Sequence, residues 1–463
     1  MANKDQKLVP HLDRRRFLSV AGSGAASLIG TSMLTRHGWA RPGEAAADGN
    51  SVTIRTHEHF GEIEEQLDFP GTWELKVQHM KGYGRPELSP AQVREKLDHP
   101  IDSPTLRELA EGKETAVITF DDLTRPTPTT SVLPLIIEDL RAAGIQDKNI
   151  VLLTSYGSHR PMTHGEVRAK LGDWAVDNFA WINHNVWENV KDVGVTSQNN
   201  KIKVNHHFFR ADLRITISGI KVHGLAGYGG GGKAVLPGVA WTESINYFHR
   251  TITGNGTSKS TGPMKVFKNP VRKDMEEAGK LADVNFSVQI VYGERRQPVD
   301  VFAGDVVTSH HAACRMANQH FRTPTVKGAD IVVANTYPQS RQAMSGMSWL
   351  NRSLRDGGSG VVIAQHPDAM STIHYMSERW SYRGQAYWET MDIKRNPAKH
   401  AGQIIIFSQY MHKKDIDRIS AKHVTLAKSW DRVVELLQKN HGSEAEVAVY
   451  PYGNIQHQEI DLT

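Results

Sequence analysis

Three segments carry most of the side chains that could move a proton or hold an anion. "TFDDLTRPTPTT" (119–130) sets Asp121, Asp122, Thr124 and Arg125 on a turn stiffened by Pro126 and Pro128. An arginine held on such a turn suits bidentate recognition of a carboxylate or phosphate; an Asp–Arg pair that merely braces the loop is the structural alternative. "TSYGSHRPMTHGEV" (154–167) supplies His159 and Arg160, with Thr163 placed to cap a helix. "SGIKVHGLAGYGGGGK" (218–233) supplies His223 ten residues before Lys233, and "SINYFHR" (244–250) adds His249 sixteen residues after it. A lone histidine is more often a satisfied structural residue than a ligand. Four such segments together are harder to dismiss.

The glycine stretch "GYGGGGKAVLPG" (227–238) has the G-x-x-x-x-G-K spacing of a phosphate-binding loop. Two features depart from that motif. The residue after Lys233 is Ala234, with no hydroxyl for magnesium, and Pro237 falls inside the helix that such a loop must open. The stretch therefore suits a lysine beside a closely approaching ligand better than it suits ATP.

The elements that must position these residues are short apolar strands: "AVITF" (116–120), "NIVLLT" (149–154), "LRITISG" (213–219), "ADIVVAN" (329–335), "GVVIAQ" (360–365) and "GQIIIFS" (402–408). Helical stretches such as 131–144 and 430–442 alternate with them. Near-continuous apolar strands between helices predict α/β architecture, with mostly parallel sheets covered on both faces. The polar "NQHFRTPTVKG" (318–328) marks a boundary. The expected plan is a first domain over 48–318, possibly completed by 443–463, and a second over 319–442. The active site would lie in the cleft between them. In open α/β sheets ligands bind at the carboxyl ends of the strands, which is where the histidines, Arg125 and Lys233 fall.

With 463 residues, 39% hydrophobic and 23% charged, the chain has the composition of an ordinary globular protein with room for two or three domains. Its net charge of +5 is partly held in the N-terminal segment. That mild excess is weak evidence for nucleic acid, none of which is expected as a partner, and is more compatible with anionic small molecules. Cys314 is the only cysteine, so neither an intramolecular disulfide nor a thiolate-rich metal site can form. "DRRRFLSV" (13–20), a mildly apolar run to Leu34 and a small-residue end at Ala47 resemble a twin-arginine export signal over 1–47. The apolar run is too broken for stable membrane insertion. The expected location is periplasmic, with the export machinery as a partner.

"DDLTRPTP", "SHRPMT", the loop from His223 to Lys233, and His249 together resemble the nickel-dependent lactate racemase family in order and spacing. Segments 301–314 and 328–338 resemble that family's second half. The resemblance implies a cofactor, the nickel-pincer nucleotide, a pyridinium mononucleotide with thioamide and thiocarboxylate groups joined covalently to Lys233. Gly229, Gly230, Gly231 and Gly232 would let the backbone approach it. His249 would be the one protein ligand to nickel, and Asp122 and Arg125 would contact cofactor and substrate. His159 and His223 would be the paired catalytic histidines. The implied activity is racemisation or epimerisation of a 2-hydroxy acid through reversible hydride transfer from Cα.

The family's substrate segment carries a Tyr-Gln pair and, three residues after the Gln, a lysine. Here Arg341 and Gln342 take the place of the pair and Ser345 that of the lysine, and Trp388 corresponds to a family tryptophan. The changed charge argues against plain lactate and for a larger, polyhydroxylated or additionally acidic substrate. Two other readings stay open. "THEHFGE" (56–62) offers His57 and His59 as an H-x-H pair for a metal-dependent hydrolase; alternatively, a protein of the same fold could bind without catalysis.

Overall fold

The computed structural model describes residues 50–252, 260–340, 345–367, 398–417 and 423–458. Among these, two six-stranded sheets organise the chain. The first has the order β14 (Pro298–Gly304), β13 (Phe286–Tyr292), β9 (Leu213–Gly219), β4 (Ala116–Phe120), β5 (Ile150–Thr154), β6 (Ala180–Ile182). It is parallel except where β14 turns back along β13. The second has the order β18 (Val424–Ala427), β17 (Gln403–Phe407), β16 (Leu354–Ile363), β15 (Ala329–Asn335), β19 (Glu446–Tyr450), β3 (Glu74–Val77), and is parallel throughout.

Smaller pairings complete the pattern. β1 (Ser51–Thr56) runs against β2 (Ile63–Asp68), and β7 (Val190–Val195) against β8 (Lys201–Asn205). β10 (Val222–His223), β11 (Ala226–Tyr228) and β12 (Gly262–Pro263) frame the glycine loop. No described helix is long and apolar enough to cross a membrane.

Both faces of each large sheet are covered, as the apolar strand composition requires. Successive side chains of a strand point to opposite faces. Thus Ala116, Ile118 and Phe120 meet Ile136, Ile137 and Leu140 of the helix Leu133–Ala142, while Val117 joins a separate cluster with Val235, Leu236 and Ile245. In β15, Ile331 and Val333 face Val433 and Leu437 of the helix Trp430–His441, and Val332 and Ala334 face Trp349 and Leu350. A fifth cluster joins residues at or beyond the strand ends of the two sheets, Ile220 and Tyr292 from the first with Tyr337 and Tyr452 from the second.

The order of strands identifies where each sheet receives a ligand. In the first, β4 leads to β5 and β6 on one side, and the chain then crosses to β9 and β13 on the other. In the second, β15 leads outward to β16, β17 and β18 before β19 returns to its other side. Each sheet thus has a topological switch point, β4/β9 and β15/β19, the place where open α/β sheets hold ligands.

The expected domain division differs from the strand pairing. β19 lies between β15 and β3 in the second sheet, so residues 446–450 do not complete the first. β3 places residues 74–77 there too, although they precede every strand of the first sheet. A parallel edge can be extended by any apolar strand that reaches it, and neither segment has a local pattern that reveals its distant neighbour.

Candidate active site

Asp121 and Asp122 begin the turn that leaves β4. Asp122 Oδ2 lies 2.7 Å from His159 Nδ1, the histidine positioned by the turn after β5. Its other oxygen accepts from the Thr124 N–H at 3.1 Å and from the Thr124 hydroxyl. Both Asp122 oxygens thus have partners within the protein. Burial opposes its ionisation, but the His159 imidazole, Arg125 and the Thr124 hydroxyl outweigh that and hold the carboxyl below its usual range. Burial lowers the pKa of His159, against the pull of Asp122, so a neutral ring sits beside a carboxylate. The Nδ1–H then donates to Asp122, and Nε2 carries the lone pair.

Arg125 does not pair with either aspartate. One guanidinium nitrogen donates to the Thr124 carbonyl at 3.0 Å and to its hydroxyl at 2.8 Å. Asp121 is ion-paired with Lys170, a fully buried side chain that also donates to the Arg125 carbonyl at 2.8 Å. The bracing ion pair of this turn is therefore Asp121–Lys170, contributed by the helix His164–Asn178. Thr163 caps that helix by accepting from the Glu166 N–H at 3.3 Å, and Arg160 is taken by the Glu166 carboxylate.

His223, on β10, has a different tautomer. Its Nδ1 accepts backbone N–H groups from Leu225 at 3.3 Å and Ala226 at 3.1 Å, which leaves the proton of the neutral ring on Nε2. Burial, then Lys233, Arg125, Arg272 and Lys221, hold its pKa well below normal. The paired histidines thus present a lone pair from His159 and an N–H from His223.

The glycine loop is tied to the protein from behind. Arg272, fully buried, donates to the carbonyls of Ala226 at 3.1 Å and Gly230 at 2.9 Å, and to that of Tyr228. His310 Nε2 lies 2.8 Å from the Gly229 carbonyl, and the Gly231 N–H donates to Gln289 Oε1 at 2.9 Å. Gly230 has φ +81°, and a Cβ there would meet Gln289; one on Gly232 would lie 2.0 Å from the Met275 carbonyl oxygen. These two glycines are required by packing against the protein itself. The loop continues into a 3₁₀ turn over Gly231–Ala234, not the long helix of a nucleotide triphosphate site. Lys233 rises from that turn; burial, then Arg125 and Arg272, lower its amine to about 7.

His249 lies in a π-helical turn, Phe248–Ile252, that continues the helix Thr242–Tyr247. Its Nδ1 donates to the Ile245 carbonyl at 2.9 Å, the second bond by which a metal-ligating imidazole fixes its tautomer. Phe248 and Ile252 pack in the same cluster as Val235 and Leu236, two and three residues after Lys233. Ser345 accepts from Asn454 Nδ2 at 2.6 Å. Arg341, Gln342 and Trp388 lie outside the described residues.

His57 and His59 do not form a metal pair. His57 Nε2 is 2.7 Å from the Tyr410 hydroxyl, and the Arg296 guanidinium lies 3.0 Å from His59 Nδ1. A guanidinium against a ring nitrogen repels a metal cation there. Among the described residues, Glu276, His310 and His311 bring three possible ligand atoms together. His311 is bonded to Glu276 at 2.7 Å and His310 to the loop carbonyl, so the group serves as a brace beneath the glycines. Sequence reasoning missed Lys170, Lys221, Arg272 and His310, because each acts on a segment far from it in the chain.

Known proteins bear on this arrangement. Residues 60–261 match the lactate racemase N-terminal domain. The chain is 29% identical over 381 residues to a lactate racemase of Lactiplantibacillus plantarum, covering 78% of this chain and 89% of that protein. It is 31% identical over 283 residues to one from Thermoanaerobacterium thermosaccharolyticum, covering 60% and 66% respectively. The structure of the apoprotein of a lactate racemase from T. thermosaccharolyticum superposes with a TM-score of 0.65 at 23% identity, over 88% of this chain and all of that one. A protein from Thermotoga maritima gives 0.58 at 18% identity, over 80% of this chain and 98% of its own. The two structural likenesses show the shared α/β fold. The sequence matches support the lactate racemase family, and with it an isomerase of the racemase type.

Proposed function

We propose that the chain racemises or epimerises a 2-hydroxy acid with a nickel-pincer nucleotide held by Lys233 and His249. The observation that carries this reading is the meeting of Asp122–His159, Arg125, His223 and Lys233 at one switch point. The residues fit the cofactor. An amine lowered to about 7 is the nucleophile that covalent attachment through a thiocarboxylate needs, and the Nδ1 bond of His249 suits a ligand. When bound, the cofactor would supply the hydride acceptor that no side chain can be.

The chain's own part is binding and proton handling. Arg125 clamps the substrate carboxylate. The Nε2 lone pair of His159 takes the hydroxyl proton, with Asp122 stabilising the resulting imidazolium. The Nε2–H of His223 delivers a proton to the oxygen when it lies on the opposite side, and the proton left on His159 returns to His223 through solvent, so both rings end as they began. Ser345, a hydroxyl where the family has an ammonium, favours a substrate other than plain lactate: larger, polyhydroxylated or additionally acidic. The leader with Arg14 and Arg15 supports export of the folded, loaded protein to the periplasm.

Intact mass and nickel content of protein from its native host test this reading. We expect a mass excess on the Lys233 peptide of the order of a modified mononucleotide, about one nickel per chain, and inversion of at least one 2-hydroxy acid in a screen. A chain that stays unmodified after exposure to the cofactor-forming enzymes and inverts none would refute it.

A further inference from the structure

Lys221 sits where the two switch points meet. It follows β9, and its amine donates to Gln339 Oε1 beyond β15 and to Asn454 Oδ1 beyond β19, the latter at 2.6 Å. The side chain is buried, and among the described residues both of its hydrogen-bond partners are amide oxygens. Its backbone carbonyl accepts the Gly229 N–H at 2.8 Å, so the same residue also anchors the glycine loop.

The charges around it are mainly positive. Burial first, then Arg125 and Lys233, hold the amine well below its ordinary range, with Glu58 acting in the other direction. A buried amine near other cationic groups is stabilised in its charged form when an anion joins them. Asn454 also bridges Lys221 to Ser345, donating to the Ser345 hydroxyl at 2.6 Å.

We propose that Lys221 is the second cation of the carboxylate-binding site, closing with Arg125 on the substrate carboxylate from the side of the second sheet. This rests on the 2-hydroxy acid reading above. With no anion the amine is held by the two amides; a carboxylate that enters favours its protonated form and meets it as a charged donor. The position couples substrate binding to both sheets, since the ammonium is held by residues following β15 and β19. Lys221 thus supplies positive charge two hydrogen bonds from Ser345.

The test is calorimetric titration of a set of 2-hydroxy and 2-keto carboxylates at pH 8, in two buffers of different ionisation heat. It uses full-length wild type, Lys221→Met and Asn454→Ala, without and with the cofactor. Wild type should take up protons as the carboxylate binds. Lys221→Met should bind about tenfold or more weakly, the loss expected for one charged hydrogen bond, and take up fewer protons than wild type. Asn454→Ala, which cuts the tie and keeps the amine, should retain the uptake. Equal affinity in wild type and Lys221→Met, or loss of uptake in Asn454→Ala to the same degree, would overturn the role of Lys221 alone. Wild type that binds no such carboxylate, loaded or unloaded, would overturn the reading of the whole site.

Discussion

An imidazole buried near two cations is a poor base unless something fixes its tautomer and receives its charge, and Asp122 does both for His159. Replacing Asp122 with Asn keeps the shape and removes the charge. Turnover of loaded Asp122→Asn should fall about a hundredfold or more, the share that general acid–base catalysis supplies, with the carboxylate dissociation constant nearly unchanged. A comparable rise in that dissociation constant would assign Asp122 to binding instead. Lys233 allows a second check at this scale. Only the neutral amine attacks an acyl carbon, so attachment should accelerate as pH rises and level off above about 7. Attachment still accelerating at pH 9, followed by intact mass, would mean an unperturbed lysine. Residue type and spacing singled out His159, His223, Lys233 and His249, while the roles proposed for them rest on the family resemblance. Lys170, Lys221, Arg272 and His310 were not, since a buried cation announces itself only through the oxygens that surround it.

At the scale of elements, local pattern was most informative where an element buries both faces. β4, β9 and β15 occupy the residues that their apolar runs predicted, and the helix Trp430–His441 fills the expected stretch up to Gly442. β3, β7 and β8 carry mixed polar sequence and had no such signal. The glycine loop is the instructive case. Its spacing suggested close approach to a ligand, whereas two of its glycines are demanded by Gln289 and Met275 on neighbouring elements. Gly232→Ala should therefore destabilise the fold itself, by about 1–3 kcal/mol as overpacking does. Denaturant unfolding of the unloaded protein measures this; a wild-type midpoint would show that the backbone of Met275 yields freely.

The whole molecule depends on segments that cross between the sheets, and the loop after β1 is one of them. Glu58 is fully buried there, and its two oxygens accept the N–H and, at 2.9 Å, the hydroxyl of Ser340, which follows β15. Burial pushes its pKa up from 4.5 to about 7, despite the bonds from Ser340. A carboxyl whose folded pKa is raised binds its proton more tightly in the folded state than in the unfolded one. Its contribution is then most favourable below pH 4.5 and is lost as pH rises toward about 7. Glu58→Gln carries no ionisable proton, so it cannot share that slope. The stability of wild type relative to Glu58→Gln should fall by up to about 3 kcal/mol between pH 4.5 and 7.5, the equivalent of the shift. Unfolding curves of the two proteins across that range decide it. Parallel stabilities would mean that Glu58 ionises at its ordinary pKa, with water reaching the crossing; a widening gap would show that the loop after β1 is sealed against the second sheet.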